Sequence, residues 1–426
     1  MKTNERLFCL DLLRGFDMLL LTVVAPMIRA VDKVWGVPKA VTDQLTHNWG
    51  GFTLYDLIMP LFIFICGAAL PYALGRRLDA QGRPTAAYWK HVGVRVALLW
   101  FCGLLCQGNL ATLDAMRISP YNNTLQTIAA GYLITAVVYV VPVRLVRQLA
   151  PVVLAVAYAF LLALFGDLKA GLYSETGNYA QIFEQKVLAV LLPAGSEAFN
   201  THGYTWFLTT LMFGAMTLCG AQCAEILRSA WTPRRKALVL AGLGAALLAV
   251  GWGLASGIPV IKHIFTVSFT AQAMGWSVLA LAGLYALTDL AGCRRGWWLV
   301  TLYGQCALTA YMATHFFSRV LQAAANTVVA GVPHLIGDKY QPLVLMAAVA
   351  VILTLVLVVR RRLRGGRVPA AACEPQPVRP RPEPAAPAAA APDEPIQLQP
   401  RSSNRSYATD GGEGKPLRST KTTLRI

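Results

Sequence analysis

Charge is scarce in this chain, and acidic charge scarcest: 14% of its 426 residues are Asp, Glu, Lys or Arg, with 21 acids against 38 bases, while 56% are hydrophobic. A water-soluble globular domain needs more polar surface than that mixture supplies. Also missing are the weakly alternating segments of about ten residues from which a membrane β-barrel is built. Runs such as 238–254 and 349–359 are apolar on every side. They fit helices that satisfy their own backbone hydrogen bonds within lipid. None of the nine cysteines falls in a long polar loop, which excludes a disulfide scaffold. Cys102/Cys106 and Cys219/Cys223 stand one helical turn apart but lack a His or carboxylate on the same turn, so small-residue packing is expected there and no metal site.

The formal charge of +17 is not a nucleic-acid signature once it is located. Residues 360–426 hold 13 basic and six acidic side chains, and the rest of the excess sits in short connections between apolar runs, where membrane sidedness explains it. The hydropathy pattern predicts an all-α, polytopic transmembrane bundle of about ten spans: 8–29, 53–75, 91–109, 124–142, 149–166, 204–225, 236–256, 266–289, 298–319 and 341–360. Basic connections alternate with connections poor in Lys and Arg, which predicts that both termini are cytoplasmic. The connections 30–52, 110–123, 167–203, 257–265 and 320–340 then lie outside. Five of the six histidines (His47, His202, His263, His315 and His334) fall in them or close by. The bundle is expected over 1–362. A Pro/Ala/Arg-rich stretch over 363–426, with 11 of the 24 prolines between Pro369 and Pro416, is expected to be a disordered cytoplasmic tail. The first apolar stretch is not read as a cleavable signal, because Asp11, Arg14 and Asp17 interrupt it.

Ionisable groups inside spans usually face the bundle interior. Asp11 and Arg14, three residues apart on the first helix, can pair as a structural ion pair, or Arg14 can hold a phosphate-bearing ligand. The most informative stretch is 46–67, where His47, Asn48 and Trp49 precede Gly50-Gly51 and lead into a span with Asp56 near its start. Trp49 can sit at the interface or stack on a ligand ring, and the nearby Asp56 carboxylate can orient His47 or tune its basicity.

Four motifs in order, 10–17 (LDLLRGFD), 49–64 (WGGFTLYDLIMPLFIF), 124–132 (TLQTIAAGY) and 258–269 (IPVIKHIFTVSF), resemble the heparan-α-glucosaminide N-acetyltransferase family and its bacterial branch of membrane proteins with a domain of unknown function. The likeness spans about residues 6 to 320. It implies a multi-pass protein of the bacterial inner membrane that takes acetyl from cytosolic acetyl-CoA, as co-substrate, and places it on the amine of a glucosamine-type sugar outside. A histidine before the Trp-Gly pair carries the chemistry in that family, which points to His47, with Asp56 as its orienting partner. The family position itself is Thr46 here, and Ala25 stands where animal members carry an Asn. By this likeness Asn48, Trp49, Gln126, Lys262 and His263 are candidates for contacting the sugar or the acetyl carbonyl, and Asp11 and Arg14 for the CoA end. Lys262 reads equally as a snorkelling interface residue and Gln126 as glue between helices. A transporter of amino sugars is the alternative function, and homo-oligomerisation is left open.

Overall fold

The computed structural model describes residues 8–79, 81–108, 110, 114–200 and 203–363. His202 and the expected tail from residue 364 onward lie outside the described residues. Sixteen α-helices run in chain order through them. They are α1 (Phe8–Leu19), which continues through a π-helical turn (Leu20–Val24) into α2 (Ala25–Trp35), then α3 (Lys39–Thr42), α4 (Ile58–Leu74), α5 (Ala86–Gln107), α6 (Thr124–Tyr139), α7 (Arg144–Phe165) and α8 (Tyr179–Leu191). After them come α9 (Thr210–Arg228), α10 (Pro233–Ala255), α11 (Val267–Tyr285), α12 (Trp298–Gln305), α13 (Ala307–Thr314), α14 (Ser318–Val329), α15 (Val332–Ile336) and α16 (Gln341–Leu363). No strand occurs among the described residues; an isolated bridge joins Leu78 and Pro84.

All ten expected segments are helical, but seven are long and apolar enough to cross a membrane: Tyr55–Arg77, Ala86–Gln107, Arg144–Phe165, Thr210–Arg228, Pro233–Ala255, Val267–Leu290 and Asp338–Leu363. The other three fall short for distinct reasons. The first carries Asp11, Arg14 and Asp17 within its opening turns. The fourth, α6, has 16 residues. The ninth is broken at Cys306 into two helices of eight residues each. Helices also occupy three of the expected loops: α3 lies within 30–52, α8 within 167–203, and α15 with most of α14 within 320–340.

Helix starts follow capping chemistry. Thr85, Asn123, Asn178, Thr232 and Thr266 each accept a backbone N–H of the first turn through their side chains. The core pair is α4 against α9, with 72% of the apolar window of each buried, while α5, α7, α10 and α16 are mostly exposed and form the lipid-compatible perimeter. What brings α4 and α9 together is the absence of side chains where they cross. A Cβ at Gly67 would collide with the Thr217 carbonyl oxygen, and one at Gly220 with that of Phe64. Likewise Gly15 and Gly304 let α1 and α12 meet backbone to backbone, against Val300 and Asp11. In lipid, where no hydrophobic force drives helices together, such close approach is what van der Waals attraction needs.

Candidate functional site

The segment before α4 folds around one carboxylate. Thr53 and Asp56 cap each other: the Asp56 N–H donates to Thr53 Oγ1 at 3.2 Å and the Thr53 N–H to Asp56 Oδ2 at 3.0 Å, a reciprocal box at the start of a helix. That leaves Asp56 Oδ1, which faces His47 Nδ1 at 2.6 Å and Lys262 Nζ at 3.4 Å. Asp56 is 1% exposed, and a buried carboxylate requires such donors. A carboxylate can only accept, so Nδ1 is the donor in the His47–Asp56 bond and Nε2 is the ring nitrogen not engaged by Asp56. Lys262 Nζ lies 3.1 Å from Nδ1 and 3.3 Å from Nε2. Being almost equidistant from both nitrogens, it is not directed at Nε2 in particular.

Lys262 reaches this position because the connection before α11 dives into the bundle. Gly51, at φ +105°, donates its N–H to Val260 O at 2.8 Å and ties the two segments together. Phe265 is the one non-glycine residue at positive φ among those described, 45°. This conformation costs on the order of 1 kcal/mol. It is held by Phe265 N–H to Lys262 O and Thr266 N–H to Ile261 O, and by edge contacts of its ring with Phe213 and Phe269. Burial pushes the Lys262 ammonium down to about 8, with Asp56 opposing the shift. Burial, then the positive charge of Lys262, pushes His263 down to about 4, so its ring is neutral at pH 7. His263 stacks on Trp49 at 5.1 Å and meets the tilted ring of Tyr204 at 4.2 Å, and Trp49 Nε1 donates to Tyr173 O.

His47 and Lys262 border a cavity of about 280 Å³, together with Tyr55, Asn122, Tyr204 and Trp206. Trp206 is set by Glu184, whose Oε2 accepts the N–H groups of Trp206 and Phe207, both at 3.0 Å; burial lifts that carboxyl to about 7. A second cavity of about 890 Å³ runs along α4 from Phe62 to the far end of the helix, bordered by Arg14, Arg76, Arg77, Arg95 and His91, with Asp11 its one acidic residue. Asp11 and Arg14 pair at 3.4 Å. Arg95 donates to Cys66 Sγ and lies over the Tyr132 ring. Tyr55 and Arg76 mark the two ends of this helical stretch, separated by about 30 Å of helix, which is the thickness of a bilayer's hydrocarbon core.

The structure therefore gathers His47, Asp56 and Lys262 at one end and Asp11 and Arg14 at the other. Trp49 and His263 support the first group from beside the cavity, and Asn48 is exposed on the approach. Gln126 sits elsewhere than expected for a substrate contact: it is fully buried, its Nε2 donates to Pro120 O, and its Oε1 accepts from Gln107 Nε2 and the Asn122 N–H. Its role in the structure is to shape the loop that presents Asn122. Arg95 escaped the sequence reading although an arginine inside an apolar run is a signal. Tyr204, Trp206 and Tyr311 offer no local signal at all. Among the described residues, no group of three or more His, Cys, Asp or Glu is placed to hold a metal.

No protein-family model matches the chain, and no curated protein matches it.

Proposed function

We propose that the chain is a membrane N-acetyltransferase that draws acetyl from acetyl-CoA at the arginine-bordered cavity and delivers it to the amine of a glucosamine-type sugar at His47. The observation that carries this is the placement of the two cavities at opposite ends of α4, one basic and sized for a phosphate-bearing ligand, the other built on a histidine–carboxylate pair. Arginine is suited to phosphate through its planar, always charged fork. At the other end His47 Nε2, its tautomer set by Asp56, takes the proton leaving the amine as that nitrogen attacks the acetyl carbonyl. The thioester C–S bond breaks, the amide C–N bond forms, and the proton reaches the CoA sulfur by way of His47. Lys262 stabilises the negative charge that develops on the carbonyl oxygen. The clustering of basic connections at the arginine end supports a cytoplasmic donor and an outer acceptor, in a bacterial inner membrane.

A transporter of amino sugars is the second reading, favoured by the break between α12 and α13 at Cys306 beside the larger cavity, since interrupted helices are common at transport sites. One assay separates the two. Purified protein in vesicles is given labelled acetyl-CoA and glucosamine; labelled N-acetylglucosamine found by mass spectrometry supports transfer. Accumulation of unmodified sugar inside the vesicles, with no labelled product, rejects transfer in favour of transport.

A further inference from the structure

The two cavities share three bordering residues: Phe62 of α4, Thr124 at the start of α6 and Tyr311 of α13 belong to both. The same face of α4 runs from Met59 on the His47 side, through Phe62, to Cys66 on the arginine side. Tyr311 is 6% exposed. It is held by a hydrogen bond from its hydroxyl to Asn123 Oδ1 and by its ring lying flat against His315, with centroids 3.9 Å apart. Its position is therefore fixed by two independent contacts. A donor whose phosphates rest among the arginines must pass this collar to bring its carbonyl to His47, and the space beyond is only about 280 Å³, to be shared with the acceptor amine.

We propose that Phe62, Thr124 and Tyr311 form a size filter on the donated acyl group, admitting acetyl and excluding longer chains. This rests on the transferase reading given above and adds to it which residues decide the donor's acyl length. His47, Asp56 and Lys262 act on the carbonyl whatever is attached to it. The collar acts on what is attached. Phe62 is the member to vary, because its side chain is partly buried at the junction and makes none of the hydrogen bonds that fix Tyr311.

The test uses the full-length protein in lipid nanodiscs and two readouts. The first is the ratio of butyryl to acetyl transfer to glucosamine. Phe62→Ala should raise that ratio by about tenfold or more, the scale on which a hydrophobic site discriminates one or two methylenes, and Phe62→Trp should lower it. The second readout needs no turnover. The 2-pyridyl disulfide of CoA exchanges with a nearby thiol, releasing pyridine-2-thione and leaving CoA in a mixed disulfide, and peptide mass spectrometry then reports which cysteine was trapped. Cys66, on the arginine side, should be trapped whatever stands at 62. A Met59→Cys reporter beyond the collar should be trapped faster with Phe62→Ala and more slowly with Phe62→Trp. Equal trapping of Met59→Cys in all three backgrounds, or an unchanged butyryl-to-acetyl ratio in both variants, overturns the filter. Trapping at neither cysteine overturns the CoA reading and the filter with it. Trapping that depends on residue 62 with no acyl transfer leaves the collar standing and overturns the transferase alone.

Discussion

His47 is oriented by one short bond to a carboxylate that is itself anchored by a helix cap, so removing its ring takes away a lone pair without touching the cap. His47→Ala should lower acetyl transfer by about 10² to 10⁴-fold, the usual scale for a lost acid/base group. Binding of CoA, measured by calorimetry, should persist because the arginines lie at the other end of α4; near-normal turnover would reject the assignment. Lys262 gives a pH test with opposite signs in two observables. Burial holds its ammonium at about 8 instead of the ordinary 10.5. Transfer should fall as pH rises through about 8, because the cation beside the carbonyl is lost, and Lys262→Arg should move that limb upward, since guanidinium stays charged. Between 8 and 10.5 the unfolded chain binds more protons at this residue than the folded one. Thermal stability should therefore rise with pH across the same window. Rates and melting temperatures that fall together would show that Lys262 is not the group responsible. The pairing of His47 with Asp56 was legible in the sequence because they stand nine positions apart across a helix start. The convergence of Lys262 on the same oxygen was not, because it depends on the left-handed turn at Phe265, which no local pattern announces.

Among the elements, the crossing of α4 and α9 is where one atom matters most. Gly67→Ala would set its new methyl against the Thr217 carbonyl, and because both helices are packed on several sides neither can yield cheaply. Overpacking of this kind destabilises by about 1 to 3 kcal/mol. Gly242→Ala on α10 is the control: nothing lies within 4 Å of its added Cβ, so the helix should tolerate or prefer it. Melting curves of the two variants in detergent should separate, Gly67→Ala below the parent and Gly242→Ala at or above it; equal curves would mean that the crossing is looser than its backbone contacts imply. Hydropathy located the helical segments well, because an apolar run that must satisfy its own backbone has one regular option in lipid. It missed the break at Cys306 and the helices inside expected connections, such as α8 and α14. The break at Cys306 falls within a run that stays apolar, and α8 is short and surrounded by turn residues, so neither alters the average over a span-length window.

At the scale of the whole molecule, the cavities combine side chains from the first helix, α4, α6 and α13, with α5 added on the arginine side. Segments so far apart in the chain have no shared sequence signal, and for that reason the two-ended site emerges only in three dimensions. The charges from which its proposed sidedness is argued, by contrast, stand in plain view in the short connections. Arg76 and Arg77 follow α4, and Arg234, Arg235 and Lys236 open α10, while Lys39 and the 46–53 lead-in lie at the opposite end of α4. Short connections rich in Lys and Arg tend to be retained in the cytoplasm, and the proposed function takes the arginine cavity to be on that side, where CoA thioesters are made, with His47 on the far side. Single reporter cysteines at the exposed positions Lys39 and Arg234, placed in a protein stripped of its native cysteines, test this directly in intact cells. A membrane-impermeant maleimide should label Lys39→Cys and leave Arg234→Cys unlabelled until the membrane is opened. The reverse pattern would place the histidine pair in the cytosol and remove any need for the acetyl group to cross the bilayer, even if both cavities and their chemistry were otherwise as described.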